Sequence, residues 1–371
     1  MGAIRLFLAS VVVLAHVQVF VVGPTGHAVS TYLFWGMNGG RAVVCFFVIS
    51  GFLISYALSR KYIGAGAIRD FYRARFLRIF PLYWATIALL VAFDAFDARH
   101  QLVEQAYNGD VTDLLSGLFL FGADWRVEFA QYPGLYWLAL PSGLAIAWTL
   151  SVELTFYVIA PFVLHSLLRS VALFTMSCLV RGGLVSIYGF DPILTYMFIP
   201  TTLCFFMLGH IARLLHDHYL RSLEIYNLAF GIFAIIVLQF VTQPLDDLCF
   251  YGSIISFALF LPYAFEKTKD AKILNFLGDL SYPVYLCHPF VLFLVYGLNR
   301  WQPLSEQSAL DRILASRLAT PMVGTGSALI TLAAVLSVAA TLHVAVEGPL
   351  KGAIGRVIRA ADLEKKARVT R

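Results

Sequence analysis

The first apolar run of the chain, from Ile4 to Val22, contains two ionisable residues, Arg5 and His16. Ionisable groups inside a membrane-spanning segment are costly and are therefore candidates for function. Eleven positions at about 100° per residue bring the two side chains near one face of a helix, and a rise of about 1.5 Å per residue separates them by roughly 16 Å. One helix would thus present a cation near the membrane edge and an imidazole near its middle.

Glu153 and His288 lie at a comparable depth in two later apolar runs. Measured from one end of its predicted span, His16 lies roughly 18 Å deep, Glu153 roughly 15 Å and His288 roughly 17 Å. An imidazole with a pKa near neutrality can act as a general base on a hydroxyl group or accept an acyl group itself. A buried carboxylate such as Glu153 can orient that imidazole or stabilise its charged form. These three residues are the candidates for catalysis.

Arg5, Arg75 and Arg78 fall instead at the predicted cytoplasmic edge. Arginine binds phosphate in a bidentate fashion and stays charged, so these three side chains are candidates for a phosphate site. A cytoplasmic phosphate layer beneath a deep histidine fits a long carrier that is anionic at one end and reactive at the other. Acyl-coenzyme A has this shape, since its pantetheine arm places the thioester well over about 10 Å from the phosphates.

The composition is that of a membrane protein. Of the 371 residues, 60% are hydrophobic and 13% are charged, and the mean hydropathy is +0.78. We predict an all-α polytopic protein with about ten transmembrane helices, since a run of about 20 apolar residues can span a bilayer. The predicted spans are residues 4–22, 42–58, 79–96, 143–165, 170–188, 195–214, 225–242, 247–265, 277–298 and 322–346.

The connections between these spans alternate in charge. The 59–78 connection contains Arg60, Lys61, Arg69, Arg73, Arg75 and Arg78, whereas the opposite connections contain Asp94, Asp97, Glu104, Asp110, Asp113, Asp191, Asp246 and Asp247. By the positive-inside rule both termini are cytoplasmic. The net charge of +5 is thus explained by the orientation of the protein in the membrane. We expect no nucleic-acid partner.

Residues 97–142 are the part of the topology that is hardest to assign. The apolar runs Leu114–Phe121 and Tyr132–Leu140 are too short to span, so they predict an interfacial or re-entrant helix. Eleven spans are the alternative. The five cysteines show no C-x-x-C spacing, and we expect neither a metal site nor a disulfide framework.

Three other ionisable residues have two interpretations each. Arg181 lies inside the fifth span beside two glycines, where it could extend toward the interface or contact an anionic substrate. His343 and Glu347 are four residues apart on the last predicted helix, where they form either a structural pair that closes the bundle or part of a site.

Six motifs in order along the chain resemble the membrane acyltransferase-3 family of bacterial O-acyltransferases, which modify surface and exported glycans. They are the Arg5/His16 pair, Phe46–Phe52 (FFVISGF), Phe71–Trp84 (FYRARFLRIFPLYW), Trp148–Tyr157 (WTLSVELTFY), Leu277–His288 (LGDLSYPVYLCH) and Glu347–Pro349. The resemblance implies a cytoplasmic acyl-CoA donor, His16 as the catalytic residue, and Arg5, Arg75 and Arg78 as donor-binding residues. It also strengthens the assignment of His288 and Glu153.

On this interpretation, residues 1–350 form one transmembrane acyltransferase domain, and residues 351–371 form a basic cytoplasmic tail. The expected activity is transfer of an acetyl group from acetyl-CoA, or of another acyl group from its acyl-CoA, to a hydroxyl of a lipid-linked or exported polysaccharide in the bacterial cytoplasmic (inner) membrane. No cofactor is expected to stay bound. We expect membrane lipid and polysaccharide-biosynthesis machinery as surroundings, and no soluble hydrolase-type domain in this chain.

One position departs from the family pattern. Members commonly have an acidic residue two positions before the Phe46-Phe47 pair, where this chain has Val44, with Arg41 nearby. Succinyl is the main alternative acyl group, since Arg41 or Arg181 could pair with its second carboxylate. A proton-coupled transporter, in which His16, Glu153 and His288 form a relay, and a polysaccharide exporter are the alternative functions.

Overall fold

The computed structural model describes residues 1–22, 39–96, 115, 117–120, 147–189, 193–220, 228, 230–231, 248–296, 325–350 and 352–353. Every regular element within these ranges is helical, and they contain no strand. The prediction of an all-α protein is therefore confirmed for the part of the chain that the structure describes.

Nine α-helices make up this part of the chain. They are α1 (Gly2–Val22), α2 (Gly39–Arg60), α3 (Ala67–Phe96), α4 (Ala147–Val163), α5 (Leu167–Tyr188), α6 (Ile199–Leu215), α7 (Leu248–Thr268), α8 (Lys272–Tyr296) and α9 (Thr325–Leu342). Three short π-helical segments adjoin them, at Ile193–Met197, His216–Leu220 and His343–Glu347.

Each of these nine helices overlaps one of the ten predicted spans, but α3 begins at Ala67, so most of the predicted 59–78 connection is helical. Four segments within the described ranges are long and apolar enough to cross a membrane, namely Gly39–Arg60, Leu167–Tyr188, Leu194–Tyr219 and Ala328–Leu350. The predicted seventh span (225–242), most of the 97–142 connection and nearly all of the predicted tail (351–371) lie outside the described residues. The count of ten spans thus stays a prediction.

The helix directions agree with the predicted alternation of spans. Helices α1, α3 and α8 run in one direction, since Gly2 lies against Leu274 and Gly278 while His16 lies against His288, and α3 meets α8 in the same sense through Arg78 and Asp279. Helices α2, α4, α6 and α7 run in the other direction.

Helices α2 and α6 are in close backbone contact. A Cβ atom added to Gly51 would lie 1.9 Å from the carbonyl oxygen of Phe206, and one added to Gly209 would lie 2.0 Å from the carbonyl oxygen of Val48. Small residues let membrane helices approach in this way, so that dispersion contacts between the backbones hold them together. Phe47 on α2 stacks on Phe206 of α6 with ring centroids 4.8 Å apart.

The described part of the 97–142 connection packs against the middle of α3. The hydroxyl of Tyr83 donates to the carbonyl oxygen of Gly117 at 2.5 Å, the indole N–H of Trp84 donates to that of Leu118 at 2.8 Å, and Leu120 is fully buried. Tyr83 precedes the end of α3 at Phe96 by thirteen residues, about 20 Å along the helix. The chain therefore turns back along α3, as a re-entrant segment would.

The α2–α6 contact predicts how glycine substitutions affect stability. Gly51→Ala and Gly209→Ala each force two backbones apart, and we expect a loss of about 1–3 kcal/mol in unfolding free energy, as for other overpacked sites. Thermal unfolding of the detergent-solubilised protein measures this loss.

The matched control is Gly252→Ala in α7, because a Cβ there meets no atom within 4 Å. Equal melting temperatures for the three variants would contradict the close α2–α6 contact.

Candidate functional site

Five helices enclose a cavity of ≈ 930 Å³, a volume that includes its open mouth. Its charged lining residues are Arg5 from α1, Arg75 and Arg78 from α3, and Glu153 from α4. The three arginines that the sequence placed at one membrane edge are thus brought together, although they come from two helices.

Arg78 is held by carboxylates beside the cavity. Its Nη1 lies 3.4 Å from Oε1 of Glu347 and 3.6 Å from Oδ1 of Asp279. The other oxygen of Glu347 accepts from Nδ1 of His343 at 2.7 Å, and Glu347 is 1% exposed. The His343/Glu347 pair is therefore present, and it also positions an arginine of the cavity. The two interpretations of the His343/Glu347 pair, as a structural pair or as part of a site, therefore do not exclude each other.

Arg75 lies over two aromatic rings. Its guanidinium carbon is 5.7 Å from the ring centroid of Phe71 and 5.7 Å from that of Tyr157. Cation–π contacts of this kind stabilise a cation without neutralising it. Arg75 therefore keeps its full charge available to an anion in the cavity.

Glu153 is fixed by two hydroxyl groups. Its Oε1 accepts hydrogen bonds from Oγ of Ser50 at 2.6 Å and from the phenol of Tyr157. Tyr157 is four residues further along α4, so both side chains lie on the same helix face. These two hydrogen bonds fix the position of the carboxyl group in the cavity wall, which it shares with the three arginines.

The two candidate histidines contact each other, and neither lines the cavity. Their ring centroids are 5.0 Å apart, with the rings tilted by 49°. Nδ1 of His16 is 2.8 Å from the carbonyl oxygen of Val12, and Nδ1 of His288 is 2.7 Å from that of Tyr285. Because a carbonyl oxygen only accepts, both Nδ1 atoms carry hydrogen, and Nε2 of each neutral ring carries the lone pair. Either ring can then act as a base.

Tyr285, one of a pair of hydroxyl-bearing residues, links the cavity lining to His288. Oγ1 of Thr149 and the phenol oxygen of Tyr285 are 2.5 Å apart, and both residues line the cavity. The ring centroid of Tyr285 is 5.8 Å from that of His288. The described residues thus form two adjacent groups, the arginines and Glu153 around the cavity and the two imidazoles next to Tyr285.

The six predicted site residues fall into these two groups. Arg5, Arg75 and Arg78 share the cavity as predicted, and His16 meets His288. Glu153 lies on the cavity side, bonded to Ser50 and Tyr157, and its described contacts do not include an imidazole. Its predicted catalytic role, as that of the two histidines, stays a prediction.

Arg181 and Arg41 contact other parts of the protein. Arg181 donates to the carbonyl of Thr195 and to the hydroxyl of Tyr251 at 3.0 Å, and it is 6% exposed. These bonds favour a structural role over contact with a substrate. Arg41 is 2% exposed, with its guanidinium carbon 5.9 Å from the ring centroid of Phe250, and Val44 one turn later is buried as well.

The sequence motifs contained further site residues whose roles were not predicted. Ser50, Tyr157, Thr149 and Tyr285 all lie in motifs quoted above. The spacing of four between Glu153 and Tyr157 could have identified Tyr157 as a partner. The other contacts join different helices, and spacing within one helix cannot reveal them.

A second buried polar cluster links α2 and α6 away from the cavity. Oγ of Ser55 is 2.6 Å from Nδ1 of His210 and accepts from Nε of Arg213 at 2.6 Å. Arg213 also pairs with Asp217 at 2.7 Å. His210 therefore takes part in the packing of α2 against α6.

Comparisons with known proteins agree with this arrangement of motifs. A family model described as an acyltransferase domain matches residues 1–342. Nodulation protein 10 of Rhizobium leguminosarum bv. viciae is 34% identical over 146 residues, which are 36% of either chain. O-acetyltransferase OatA of Staphylococcus aureus (strain NCTC 8325 / PS 47) is 25% identical over 299 residues, which are 70% of this chain and 47% of the relative.

A further relative is the peptidoglycan O-acetyltransferase OatA of Listeria monocytogenes serovar 1/2a, which is 28% identical over 129 residues, or 34% of this chain and 20% of the relative. The matches thus span less than half the length of these curated relatives. No solved structure matches the chain significantly.

The Arg78 ion pairs predict a stability effect. Arg78→Ala leaves the buried carboxylate of Glu347 without its guanidinium partner, and we expect a loss of about 2–3 kcal/mol in unfolding free energy. The matched control is Arg69→Ala, because Arg69 and its partner Asp70 have side chains that are 58% and 50% exposed and such surface pairs contribute less than about 1 kcal/mol. Thermal unfolding in detergent compares the two. An equal effect of both substitutions would contradict the buried pairing.

Proposed function

Because this chain belongs to the acyltransferase-3 family, we propose that it is an integral-membrane O-acyltransferase that uses acyl-CoA as donor. The observation that carries the proposal is the cavity lined by Arg5, Arg75 and Arg78. Arg5 lies on α1, the helix that also carries His16. No proton-coupled transport is needed to account for three arginines around one cavity.

The arginines would hold the phosphates of the donor. Guanidinium groups bind phosphate oxygens through paired, charge-assisted hydrogen bonds. Arg5 and His16 are eleven residues apart on the continuous helix α1, roughly 16 Å along its axis. A carrier bound by its phosphates at Arg5 can therefore extend toward His16 only if its reactive end lies at a comparable distance, as the thioester of an acyl-CoA does.

His16 would act as the general base. Its Nε2 lone pair takes the proton from the acceptor hydroxyl as the oxygen attacks the thioester carbonyl carbon. The C–O bond forms, the C–S bond breaks, and the proton passes to the departing thiolate, so that the products are the O-acyl ester and coenzyme A. His288, whose ring lies against His16, would keep that ring in place and share the proton.

Glu153 would balance the charge of the donor site. Its carboxylate is oriented by Ser50 and Tyr157 and lies among the three arginines, so it sets how strongly the empty cavity attracts anions. This assignment differs from an orienting role at the imidazole. We propose that Glu153 acts through the position of the donor.

We propose acetyl as the acyl group, since two of the relatives carry the name O-acetyltransferase. Succinyl is the alternative acyl group, and its second carboxylate would pair with Arg41 or Arg181. The proposed acceptor is a hydroxyl of a lipid-linked or exported polysaccharide. The proposed location is the bacterial cytoplasmic membrane, with both termini and the mouth of the donor cavity on the cytoplasmic side.

Replacing the proposed base tests this function directly. We expect His16→Ala to lower acyl transfer at least about 10²-fold, since general acid–base catalysis contributes roughly 10²–10⁴-fold. The measurement is transfer of radiolabelled acetyl from acetyl-CoA to the glycans of membranes that contain the protein. The control His218→Ala changes an exposed histidine and should keep the wild-type rate. A wild-type rate for His16→Ala would overturn the proposal.

Neutralising one arginine tests the donor site. Arg75→Ala removes a charge-assisted contact of about 1.5–3 kcal/mol, so we expect the KM for acetyl-CoA to rise about tenfold or more, with a smaller change in kcat. Arg60→Ala is the matched control, because Arg60 is exposed at the end of α2 and does not line the cavity. Equal KM values for the two variants would contradict a phosphate site at Arg75.

A further inference from the structure

Thr149 and Tyr285 form a hydroxyl pair between two opposed helices, α4 and α8. Thr149 precedes Glu153 by one helical turn, and Tyr285 precedes His288 by three residues. The pair thus lies beyond the carboxylate of the cavity and in front of the imidazoles. Thr149 is 7% exposed, so the pair is an interior feature of the bundle.

The pair lies in the wall of the cavity. The cavity lining includes both Thr149 and Tyr285, whereas neither His16 nor His288 belongs to the lining that the structure describes. The two hydroxyl oxygens are 2.5 Å apart, which leaves no room for another atom between them. An acyl group that enters with the donor from the arginine side meets the pair before it meets an imidazole.

Tyr285 is also tied to the histidine behind it. Its backbone carbonyl accepts from Nδ1 of His288 at 2.7 Å, and its ring lies 5.8 Å from the ring of His288. The position of the phenol is thereby coupled to the two imidazoles, and the Thr149 bond fixes its other end.

We propose that the Thr149–Tyr285 pair selects the acyl group by size, and that it opens only far enough to pass an acyl group of two carbons. This inference rests on the proposed function, because it takes the arginine cavity as the donor site and His16 as the base. The carbonyl carbon must pass the pair for its C–O bond to form near Nε2 of His16. The sulfur, from which the C–S bond breaks, stays on the cavity side and leaves as the thiolate that becomes the thiol of coenzyme A.

The expected discrimination follows from the bulk of the acyl chain. One methylene in a closely packed apolar pocket changes relative rates by roughly 10–200-fold. Butyryl-CoA differs from acetyl-CoA by two methylenes and has the same phosphates. The arginines therefore bind both donors alike, and the difference between them arises at the hydroxyl pair.

The experiment compares radiolabelled acetyl-CoA and butyryl-CoA as donors, with membranes that contain the full chain and their endogenous glycans. The measured quantity is the butyryl-to-acetyl ratio of kcat/KM. We expect Thr149→Ala to raise this ratio about tenfold or more. Tyr285→Phe, which keeps the ring and removes only the hydroxyl, should raise the ratio in the same direction.

The matched control is Thr155→Ala. Thr155 lies on the same helix, its hydroxyl donates to the carbonyl oxygen of Ser151 at 3.0 Å, and it does not line the cavity. Its ratio should equal that of the wild type. The inference is overturned if wild-type protein transfers both acyl groups equally well, or if Thr149→Ala and Tyr285→Phe both stay within twofold of the wild-type ratio. Failure of the wild type to transfer either group from CoA would instead overturn the proposed function.

Discussion

Helix α1 lies along α8 in the same direction, and this contact fixes both ends of the site. At one end, Gly2 is so close to α8 that an added Cβ would overlap the carbonyl of Leu274. At the other end, the ring of His16 meets that of His288. The contact extends from Gly2 to His16, about 21 Å along α1. Because Arg5 lies between these two points, the contact fixes the positions of both Arg5 and His16 relative to α8.

The interior charges of this bundle are each held in a specific way. Arg78 pairs with Glu347 and Asp279, Glu153 accepts from two hydroxyls, and Arg75 lies over two aromatic rings. A charge in an apolar interior is costly unless partners compensate it. Such partners come from helices far apart in sequence, for example Glu347 for Arg78. The polar contacts therefore hold the helices in register as well as the site.

Much of this architecture could be predicted from the sequence. Apolar runs gave the helices, since a helix that crosses lipid needs about 20 apolar residues, and rare charges inside those runs marked the site. The i, i+4 spacing of His343 and Glu347 predicted a pair that the structure contains. The re-entrant alternative for the 97–142 connection agrees with the bonds of Tyr83 and Trp84 to Gly117 and Leu118.

The contacts between helices could not be predicted in this way. The periodicity of one helix shows which face a residue occupies, but it does not show which helix packs against that face. Depth alone therefore grouped Glu153 with the histidines, whereas Ser50 of α2 and Tyr157 draw it into the arginine cavity. The Thr149–Tyr285 pair could not be predicted for the same reason, because its two residues lie on different helices, α4 and α8.

The central claim is that one cavity binds the phosphate end of acyl-CoA and directs its reactive end to His16. An experimental structure of the protein with bound coenzyme A tests this claim most directly. The account predicts phosphate oxygens within hydrogen-bonding distance of Arg5, Arg75 or Arg78, and the thiol directed toward Thr149 and Tyr285. Coenzyme A bound elsewhere, with all three arginines away from its phosphates, would contradict the account.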